Sequence, residues 1–239
     1  MTPDIRWYDS VPSTMDIATA LAAQGAPHGV VVAAHHQTAG RGRRGSTWVS
    51  PPGAGLYFSF IGRPTEARKI PLMTLASGVA VRDGIVAATG LAPDLKWPND
   101  LLIGRKKLAG ILAEGHALGS CDQAVVIGVG INVRPAAYPP DLNARVTSIE
   151  SELGRPIDRD ALLSEVVTRL ETCLLALAIK PGDILQAWRA ASPTAVGTRV
   201  EWDGRRGVTV GIDETGALLV NTGTLTERVI AGELRWHLP

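Results

Sequence analysis

The segment from Gln37 to Trp48 constrains the fold more than any other part of this chain. It reads Gln-Thr-Ala-Gly-Arg-Gly-Arg-Arg-Gly-Ser-Thr-Trp, with three glycines and three arginines between Gly40 and Gly45. Glycines this closely spaced let backbone N–H groups approach a ligand and permit positive φ angles. Arginines supply fixed forks of donors that match carboxylate and phosphate oxygens. The segment therefore predicts a loop that holds an anionic ligand against the backbone.

Two nucleotide-binding motifs fit the glycine spacing but not its surroundings. A dinucleotide fingerprint, G-x-G-x-x-G, needs a strand before it and a helix that opens at it. The apolar run 30–34 predicts the strand, but residues 46–53 have no helical period and contain two prolines. A P-loop needs Lys-Ser/Thr where this chain has Ser46-Thr47. Both motifs are rejected, and a nucleic-acid patch and a solvated surface loop stay open as alternatives.

Composition indicates a soluble protein with a substantial core. The chain has 239 residues, of which 45% are hydrophobic and 20% charged, with a net charge of +1 that disfavours a nucleic-acid partner. We expect no apolar run of membrane-spanning length and no N-terminal signal peptide. Cys121 and Cys173 lie far apart, which is typical of a reducing compartment. We therefore expect a cytoplasmic protein. No cluster of His, Cys or carboxylate residues indicates a metal site, so we expect no metal bound by the protein.

Hydrophobic periodicity predicts strands alternating with helices over residues 1–193, which we assign to one domain. A turn at 98–100 separates two short strands, and 134–143 reads as a proline-rich loop. The strands are predicted at 5–8, 30–35 and 56–61, on both sides of the turn within 95–104, and at 106–114 and 125–133. The helices are predicted at 14–23, 71–88, 147–153, 158–178 and 183–191.

Composition shifts after Pro193. From Gly197 onward, short β-rich segments alternate with turn residues. This pattern predicts a second domain at 194–239, a small barrel-like module of five strands. Because about 45 residues bury little core of their own, the module should pack on the first domain.

Five segments, in chain order, resemble the motifs of biotin protein ligases, and the resemblance covers nearly the whole chain. They are Ser13-Thr14, the Gln37–Gly45 loop, Lys-Trp-Pro-Asn-Asp at 96–100, Lys-Leu-Ala-Gly-Ile-Leu at 107–112, and Gly-Val-Gly-Ile-Asn at 128–132. The resemblance implies an α/β (α+β) fold with a class II synthetase-like mixed sheet flanked by helices, and an SH3-like C-terminal β-barrel. It makes residues 1–193 the catalytic, biotin- and ATP-binding domain and 194–239 the SH3-like domain. Because the pattern begins within the first fifteen residues, we expect the form without the N-terminal DNA-binding domain, and no repressor function.

The resemblance also implies a reaction. Members of this family join the carboxylate of biotin to AMP from ATP, and pass the biotinyl group to one lysine of a biotin carboxyl carrier domain of biotin-dependent carboxylases. The expected substrates are biotin and ATP, with Mg²⁺ accompanying the phosphates. We expect no DNA or membrane partner, and the family admits a homodimer. A lipoate ligase-like adenylating enzyme and a non-catalytic biotin or nucleotide sensor remain as alternatives.

By motif match, the resemblance assigns roles to individual residues. Because two anions must meet, cations are needed at the reacting centre, and Lys107, Arg41 and Arg43 are the expected catalytic residues. The expected biotin-binding residues are Ser13, Thr14, Met15, Gln37, Gly40, Arg41, Gly42, Arg43, Lys107 and Gly110. The expected ATP-binding residues are Arg43, Trp48, Asn99, Asp100, Lys107 and Asn132. For Asp100 two roles stay open, orienting a neighbour or helping to bind Mg²⁺.

One residue departs from the family pattern, and one expected basic contact has two candidate residues. Ser46 stands where relatives often carry a basic residue. The C-terminal stretch 232–237 resembles the family's ending, and either Arg235 or His237 is expected to supply its basic contact. Finally, we expect residues 39–50 to be mobile without ligands and to close over the adenylate, because that intermediate must be shielded from water.

Overall fold

Two β-sheets organise this computed structural model, which describes residues 3–64, 70–230, 232 and 234–238. Glu233, part of the predicted C-terminal motif, lies outside the described residues. The strands of the first sheet are β1 Ile5–Val11, β2 Val31–Gln37, β3 Gly55–Gly62, β4 Asp94–Lys96, β5 Asp100–Ile103, β6 Lys106–His116 and β7 Ala124–Asn132. The helices are α1 Thr14–Ala23, α2 Ile70–Thr89, α3 Pro140–Asn143, α4 Ile149–Leu153, α5 Arg159–Ile179 and α6 Pro181–Ala190. The strands of the second sheet are β8 Val196–Trp202, β9 Arg205–Ile212, β10 Leu218–Asn221, β11 Thr226–Val229 and β12 Arg235–His237.

The seven-stranded sheet has the order β1-β2-β3-β7-β6-β5-β4. Strands β1 and β2 are parallel and are joined by α1, while the other neighbours pair antiparallel. Every residue of the central strands β3 and β7 is buried. Helices cover one face along its length and part of the other, and Trp48 of the loop after β2 lies over Gly130. The side chains of α1 pack on one face and those of α2 and α5 on the other. The mixed sheet flanked by helices matches the expected architecture.

Strand β7 has different side chains on its two faces, and this difference positions the functional site. Val125, Ile127, Val129 and Ile131 belong to the core beneath α2 and α5. On the opposite face Val126 packs with α1, but the next positions on that face are glycines. The sheet therefore keeps its core on one side and leaves open space on the other, just beyond the N-terminus of α1.

The elements predicted from the sequence are present, with shifted bounds. β1 continues three residues beyond the predicted end at Tyr8, because its partner β2 also runs on to Gln37 and the two pair as far as Val11. One prediction was wrong: the segment 134–143 is not all loop, since α3 forms one helical turn there. Pro140 occupies the first helical position and Asp141 lies in the first turn, both of which favour helix initiation.

Helix α2 is longer and more apolar than the sequence interpretation recognised. By length and composition alone it qualifies as a candidate membrane span, and 61% of its most apolar window is buried inside the fold. Its buried side chains join those of α5 and the sheet in one core cluster. Here the helix acts as the central core helix between the sheet and α5.

The C-terminal module packs on the larger unit, as expected from its size. Its sheet has the order β11-β10-β9-β8-β12, with antiparallel neighbours throughout. Trp97 donates from Nε1 to the carbonyl of Gly216 at 2.9 Å, and Arg189 donates to the carbonyl of Ile212 at 2.9 Å. Buried residues of β8, β9 and β10 share one core cluster with α2 and α5. This shared core fixes the module beside the β4–β5 turn.

Two glycines of α2 give a matched test of the packing between α2 and α5. A Cβ at Gly84 would lie 2.7 Å from Cγ2 and 2.8 Å from Cα of Val166, whereas a Cβ at Gly78 would meet its nearest neighbour, Cδ2 of Leu95, at 3.5 Å. Gly84→Ala should lower the free energy of unfolding by about 1–3 kcal/mol, because α5 must move away. Gly78→Ala should leave it unchanged or raise it by about 0.5–1 kcal/mol through helix propensity. Urea unfolding of both variants checks this, and a Gly84→Ala protein at least as stable as Gly78→Ala would contradict the packing.

Candidate active site

The open face of β7 forms the floor of a cavity of about 410 Å³. The N-terminus of α1, the loop after β2, the β4–β5 turn, strand β6 and the C-terminal module supply its walls. The predicted site residues that line it are Ser13, Thr14, Met15, Gln37, Arg41, Gly42, Arg43, Trp48, Asn99, Asp100, Lys107 and Gly110. The fold thus brings together five motifs, the first and last of which lie more than a hundred residues apart in the chain. Of the predicted residues, Gly40 and Asn132 are not among those that line the cavity.

A buried polar cluster forms one end of the cavity, at the start of α1. Ser13 caps the helix, its Oγ accepting from the Met15 N–H at 3.3 Å. Gln37 Oε1 accepts from the Thr14 N–H at 2.9 Å, and its Nε2 donates to Ser50 Oγ at 3.1 Å. The Thr14 hydroxyl lies 2.8 Å from Ser59 Oγ. These mutual hydrogen bonds fix the positions of donors and acceptors before a ligand arrives.

Sequence reasoning missed Ser50 and Ser59 as parts of this cluster. Ser59 is fully buried within β3. The available signal was a hydroxyl side chain in the middle of an otherwise apolar strand, because a buried hydroxyl needs a hydrogen-bond partner.

Glycines form the cavity floor, where they allow close approach of larger side chains. Gly110 of β6 and Gly130 of β7 are register partners. A Cβ at Gly110 would lie 2.8 Å from Cζ3 of Trp48, and one at Gly130 would overlap the same indole ring. A Cβ at Gly128 would lie 2.6 Å from Sδ of Met15. Gly128 and Gly130 carried a recognisable signal, since glycines inside a buried strand mark a close approach.

Trp48 covers this glycine floor. Its Nε1 is buried and has no hydrogen-bond partner among the described residues. A buried indole N–H without a partner is costly, so a ligand that offers an acceptor here would be stabilised. The tryptophan lies beside the charged end of the cavity, with the Lys107 ammonium 5.3 Å from its ring centroid.

Asp100 is at the centre of the charged end. Its Oδ1 lies 2.6 Å from Lys107 Nζ, and its Oδ2 lies 3.2 Å from Lys96 Nζ. Burial alone would raise the pKa of the Asp100 carboxyl, but the ammonium groups of Lys107 and Lys96 outweigh it and hold the pKa below its ordinary value. Each carboxylate oxygen therefore already has a cationic partner, which does not fit a magnesium ligand. The geometry fits the other role considered for Asp100, orienting a neighbour.

Arg43 is the loop arginine that hydrogen-bonds to the β4–β5 turn. Its Nη1 donates to Asn99 Oδ1 at 3.4 Å, and Asn99 Nδ2 donates to the Ile111 carbonyl at 2.8 Å. Burial and the nearby Arg44 guanidinium lower the Arg43 pKa from its ordinary value, but an arginine side chain remains a cation in proteins. Asn99 thus connects the loop to the edge of β6.

Arg41 is held by carboxylates rather than pointing free into the cavity. Its Nη2 lies 3.1 Å from Asp16 Oδ1 and 3.1 Å from Glu114 Oε2. The three side chains are each roughly two-fifths to one-half exposed, so these pairs contribute little to stability. In this arrangement the guanidinium connects the loop to α1 and β6.

Gly40 and Asn132 have supporting positions. Gly40 lies where the two ends of the loop meet. Its carbonyl accepts from the Trp48 N–H at 2.9 Å, and a Cβ there would lie 2.5 Å from the Trp48 carbonyl oxygen. Asn132 is 2% exposed, and its Nδ2 donates to the Lys107 carbonyl at 3.3 Å. It therefore positions the backbone that carries Lys107.

The glycine–arginine loop has its own internal hydrogen bonds. Gly42 N–H donates to the Ser46 carbonyl at 2.7 Å, and Ser46 Oγ donates to the Arg43 carbonyl at 2.8 Å. Residues Arg43–Gly45 form only a single 3₁₀ turn, in which Arg44 has φ 55°. No α-helix opens here, which agrees with the rejection of both nucleotide motifs. Ser46, the departure from the family pattern, closes this turn.

The C-terminal module reaches the cavity through Gly232, Leu234 and Trp236. The Lys96 ammonium lies 5.8 Å from the ring centroid of Trp236. The two candidates for a basic contact from the module, Arg235 and His237, instead lie 3.9 and 3.1 Å from carboxylate oxygens of Glu201. Sequence reasoning missed Lys96 and Trp236, because neither is unusual until the module is packed against the turn.

Comparison with known proteins places this site in a family. The model of the biotin/lipoate A/B protein ligase family matches residues 7–132, more than half of the chain. The chain belongs to this family. The resemblance inferred from the five motifs is thereby confirmed.

Individual relatives extend the match over the whole chain. The biotin–[acetyl-CoA-carboxylase] ligase of Mycobacterium tuberculosis is 35% identical over 229 residues, covering 90% of this chain and 82% of that protein. The bifunctional ligase/repressor BirA of Bacillus subtilis is 34% identical over 235 residues, covering 95% of this chain and 72% of that protein. The biotin protein ligase of Aquifex aeolicus, solved in complex with biotin and ATP, superposes with a TM-score of 0.85 at 29% identity over 99% of each chain. The predicted fold, including the C-terminal β module, is confirmed by this superposition.

Proposed function

We propose that this chain is a biotin protein ligase. It activates the carboxylate of biotin with ATP to give biotinyl-5'-AMP and pyrophosphate, and then forms an amide between the biotinyl group and a lysine of an acceptor protein. One observation carries the proposal: a single glycine-floored cavity has a buried hydroxyl and amide cluster at one end and Lys107 with Arg43 at the other. Relatives with biotin ligase names support the same reaction.

The polar cluster at α1 suits the ureido group of biotin. This group offers both donors and acceptors, and Ser13, Thr14 and Gln37 present the complementary atoms next to the N-terminus of a helix. Met15 lies against Gly128 beside them and supplies an apolar surface for the rings. Biotin bound in this orientation points its carboxylate toward Lys107.

The charged end brings two anions together. Lys107 and Arg43 stabilise the charge that develops between the biotin carboxylate and the α-phosphate of ATP. Asp100 orients the Lys107 ammonium through the 2.6 Å ion pair. Asn99 holds Arg43, and Asn132 holds the Lys107 backbone. These asparagines therefore act on the nucleotide site through the two cations.

A Mg²⁺ ion bound to the phosphates of ATP would supply charge neutralisation at the leaving pyrophosphate. Both oxygens of Asp100 are paired with lysines, so we assign the metal no protein ligand there. Trp48 offers a large face and an unpaired N–H for the adenylate. Residues 39–50 act as a lid that excludes water while the adenylate waits for its acceptor.

The acceptor is the lysine of a biotin carboxyl carrier domain. The relative from Mycobacterium tuberculosis is named for acetyl-CoA carboxylase, which supports an acceptor of this class. Such acceptors and both small substrates occur in the cytoplasm, where we place this enzyme.

The function is tested by biotin-dependent exchange of labelled pyrophosphate into ATP, followed by labelling of a purified carrier domain. We expect exchange with biotin and one biotin per acceptor lysine. Lipoate in place of biotin is the key comparison, because the family model covers both kinds of ligase. Exchange with lipoate but not biotin would establish the lipoate alternative, and binding of biotin without any exchange would establish a sensor.

The role of Lys107 is tested against its neighbour Lys106. Lys107→Ala should lower the rate of pyrophosphate exchange by about 10²–10³-fold, because it removes a preorganised cation from the developing charge. Lys106→Ala should keep nearly full activity, because this side chain is exposed and is not among the residues that line the cavity. Thermal unfolding of both variants controls for folding. Near-normal exchange by a folded Lys107→Ala protein would refute the assignment.

A further inference from the structure

Two lysines share one carboxylate at the charged end of the cavity. Lys96 ends β4 and Asp100 begins β5, and the two residues are register partners in the hairpin. Lys96 binds one oxygen of Asp100 and Lys107 binds the other. The proposed reaction uses Lys107 and explains Asp100, but it leaves Lys96 without a role.

The shared pairing determines the local net charge. With both lysines present, the group of Lys96, Asp100 and Lys107 carries a charge of one positive unit. If Lys96 were absent, Asp100 and Lys107 would form an isolated pair with no net charge. The cation needed by the carboxylate and the phosphate would then be largely neutralised by its own orienting partner.

Lys96 is in turn positioned by the C-terminal module. Its ammonium lies 5.8 Å from the ring centroid of Trp236, within the range of a cation–π interaction. Trp236 lies on β12, where it pairs with Val200 of β8. The Lys96 side chain is only 19% exposed, so its contact with the indole is partly shielded from solvent.

We infer that Lys96 is a positioning residue that compensates the charge of Asp100, so that Lys107 keeps its positive charge available to the reactants, and that Trp236 extends this control to the C-terminal module. The inference rests on the proposed function. It gives the module a part in adenylate formation: a displaced β12 would leave Lys96 without its aromatic partner and weaken its hold on Asp100.

The test uses the full-length protein and the initial rate of biotin-dependent pyrophosphate exchange. Lys96→Met should lower that rate about tenfold or more, whereas Lys96→Arg, which keeps the charge, should retain most of it. The decisive variant is Lys96→Met combined with Asp100→Asn. The Asp100→Asn change removes the uncompensated charge but keeps a side-chain oxygen that can accept from the Lys107 ammonium and orient it. Exchange should therefore recover well above that of Lys96→Met alone. If Lys96 had only a structural role, the second substitution would not restore the exchange rate. A double variant that exchanges pyrophosphate no faster than Lys96→Met therefore overturns the inference.

The part assigned to Trp236 is tested by a second pair of variants. Trp236→Leu should lower exchange by about two- to fivefold in the otherwise unchanged protein. In the Lys96→Met background it should cost nothing further, because the cation it acts on is gone. An equal loss in both backgrounds overturns the link to the module.

Lys106→Met is the matched control for removing a lysine near the site, because Lys106 lies on the neighbouring strand β6 and is exposed. It should exchange pyrophosphate like the unchanged protein. If neither Lys106→Met nor the unchanged protein shows biotin-dependent exchange, the proposed function itself fails. If both do and Lys96→Met equals them, only the charge-compensation inference fails.

Discussion

The approach of two anions in one cavity is the constraint on which this structure depends. Carboxylate and triphosphate repel each other, so the site needs cations that are not neutralised by the protein's own acids. In the reaction we propose, Lys107 and Lys96 meet this need as a pair that shares one carboxylate, Asp100. Arg43, which is held by Asn99, adds a third cation. The β4–β5 turn, the loop after β2 and the start of β6 come together to supply these groups. The sheet order is what brings these distant segments of the chain to one place.

The second requirement is space for the ligands next to the sheet. Strand β7 meets it by alternating apolar residues toward the core with Gly128 and Gly130 toward the cavity. The same strand thus contributes to stability on one face and to binding on the other. Larger side chains at these glycines would overlap Met15 or Trp48, so the floor and its covering residues constrain each other.

Much of this site could be predicted from the sequence, because its motifs are local and each carries a chemical requirement. The Gly40–Gly45 loop indicated an anion, Ser13-Thr14 indicated a helix start, and short apolar runs placed the strands. What could not be predicted depends on tertiary packing. The contact of Trp236 with Lys96 exists only because the C-terminal module docks beside the β4–β5 turn. Likewise, the engagement of Arg41 by Asp16 and Glu114 joins three elements that are distant in the chain.

The central claim is that the cavity makes and keeps an acyl adenylate. The most direct measurement is a single turnover with enzyme in excess over ATP, biotin present and acceptor absent, quenched and analysed for products over time. We predict that biotinyl-5'-AMP accumulates to nearly the amount of ATP added, stays bound, and disappears when carrier domain is supplied. Pyrophosphate should appear at the same rate as the adenylate. Release of AMP with no detectable biotinyl-5'-AMP, or no consumption of ATP, would contradict the account.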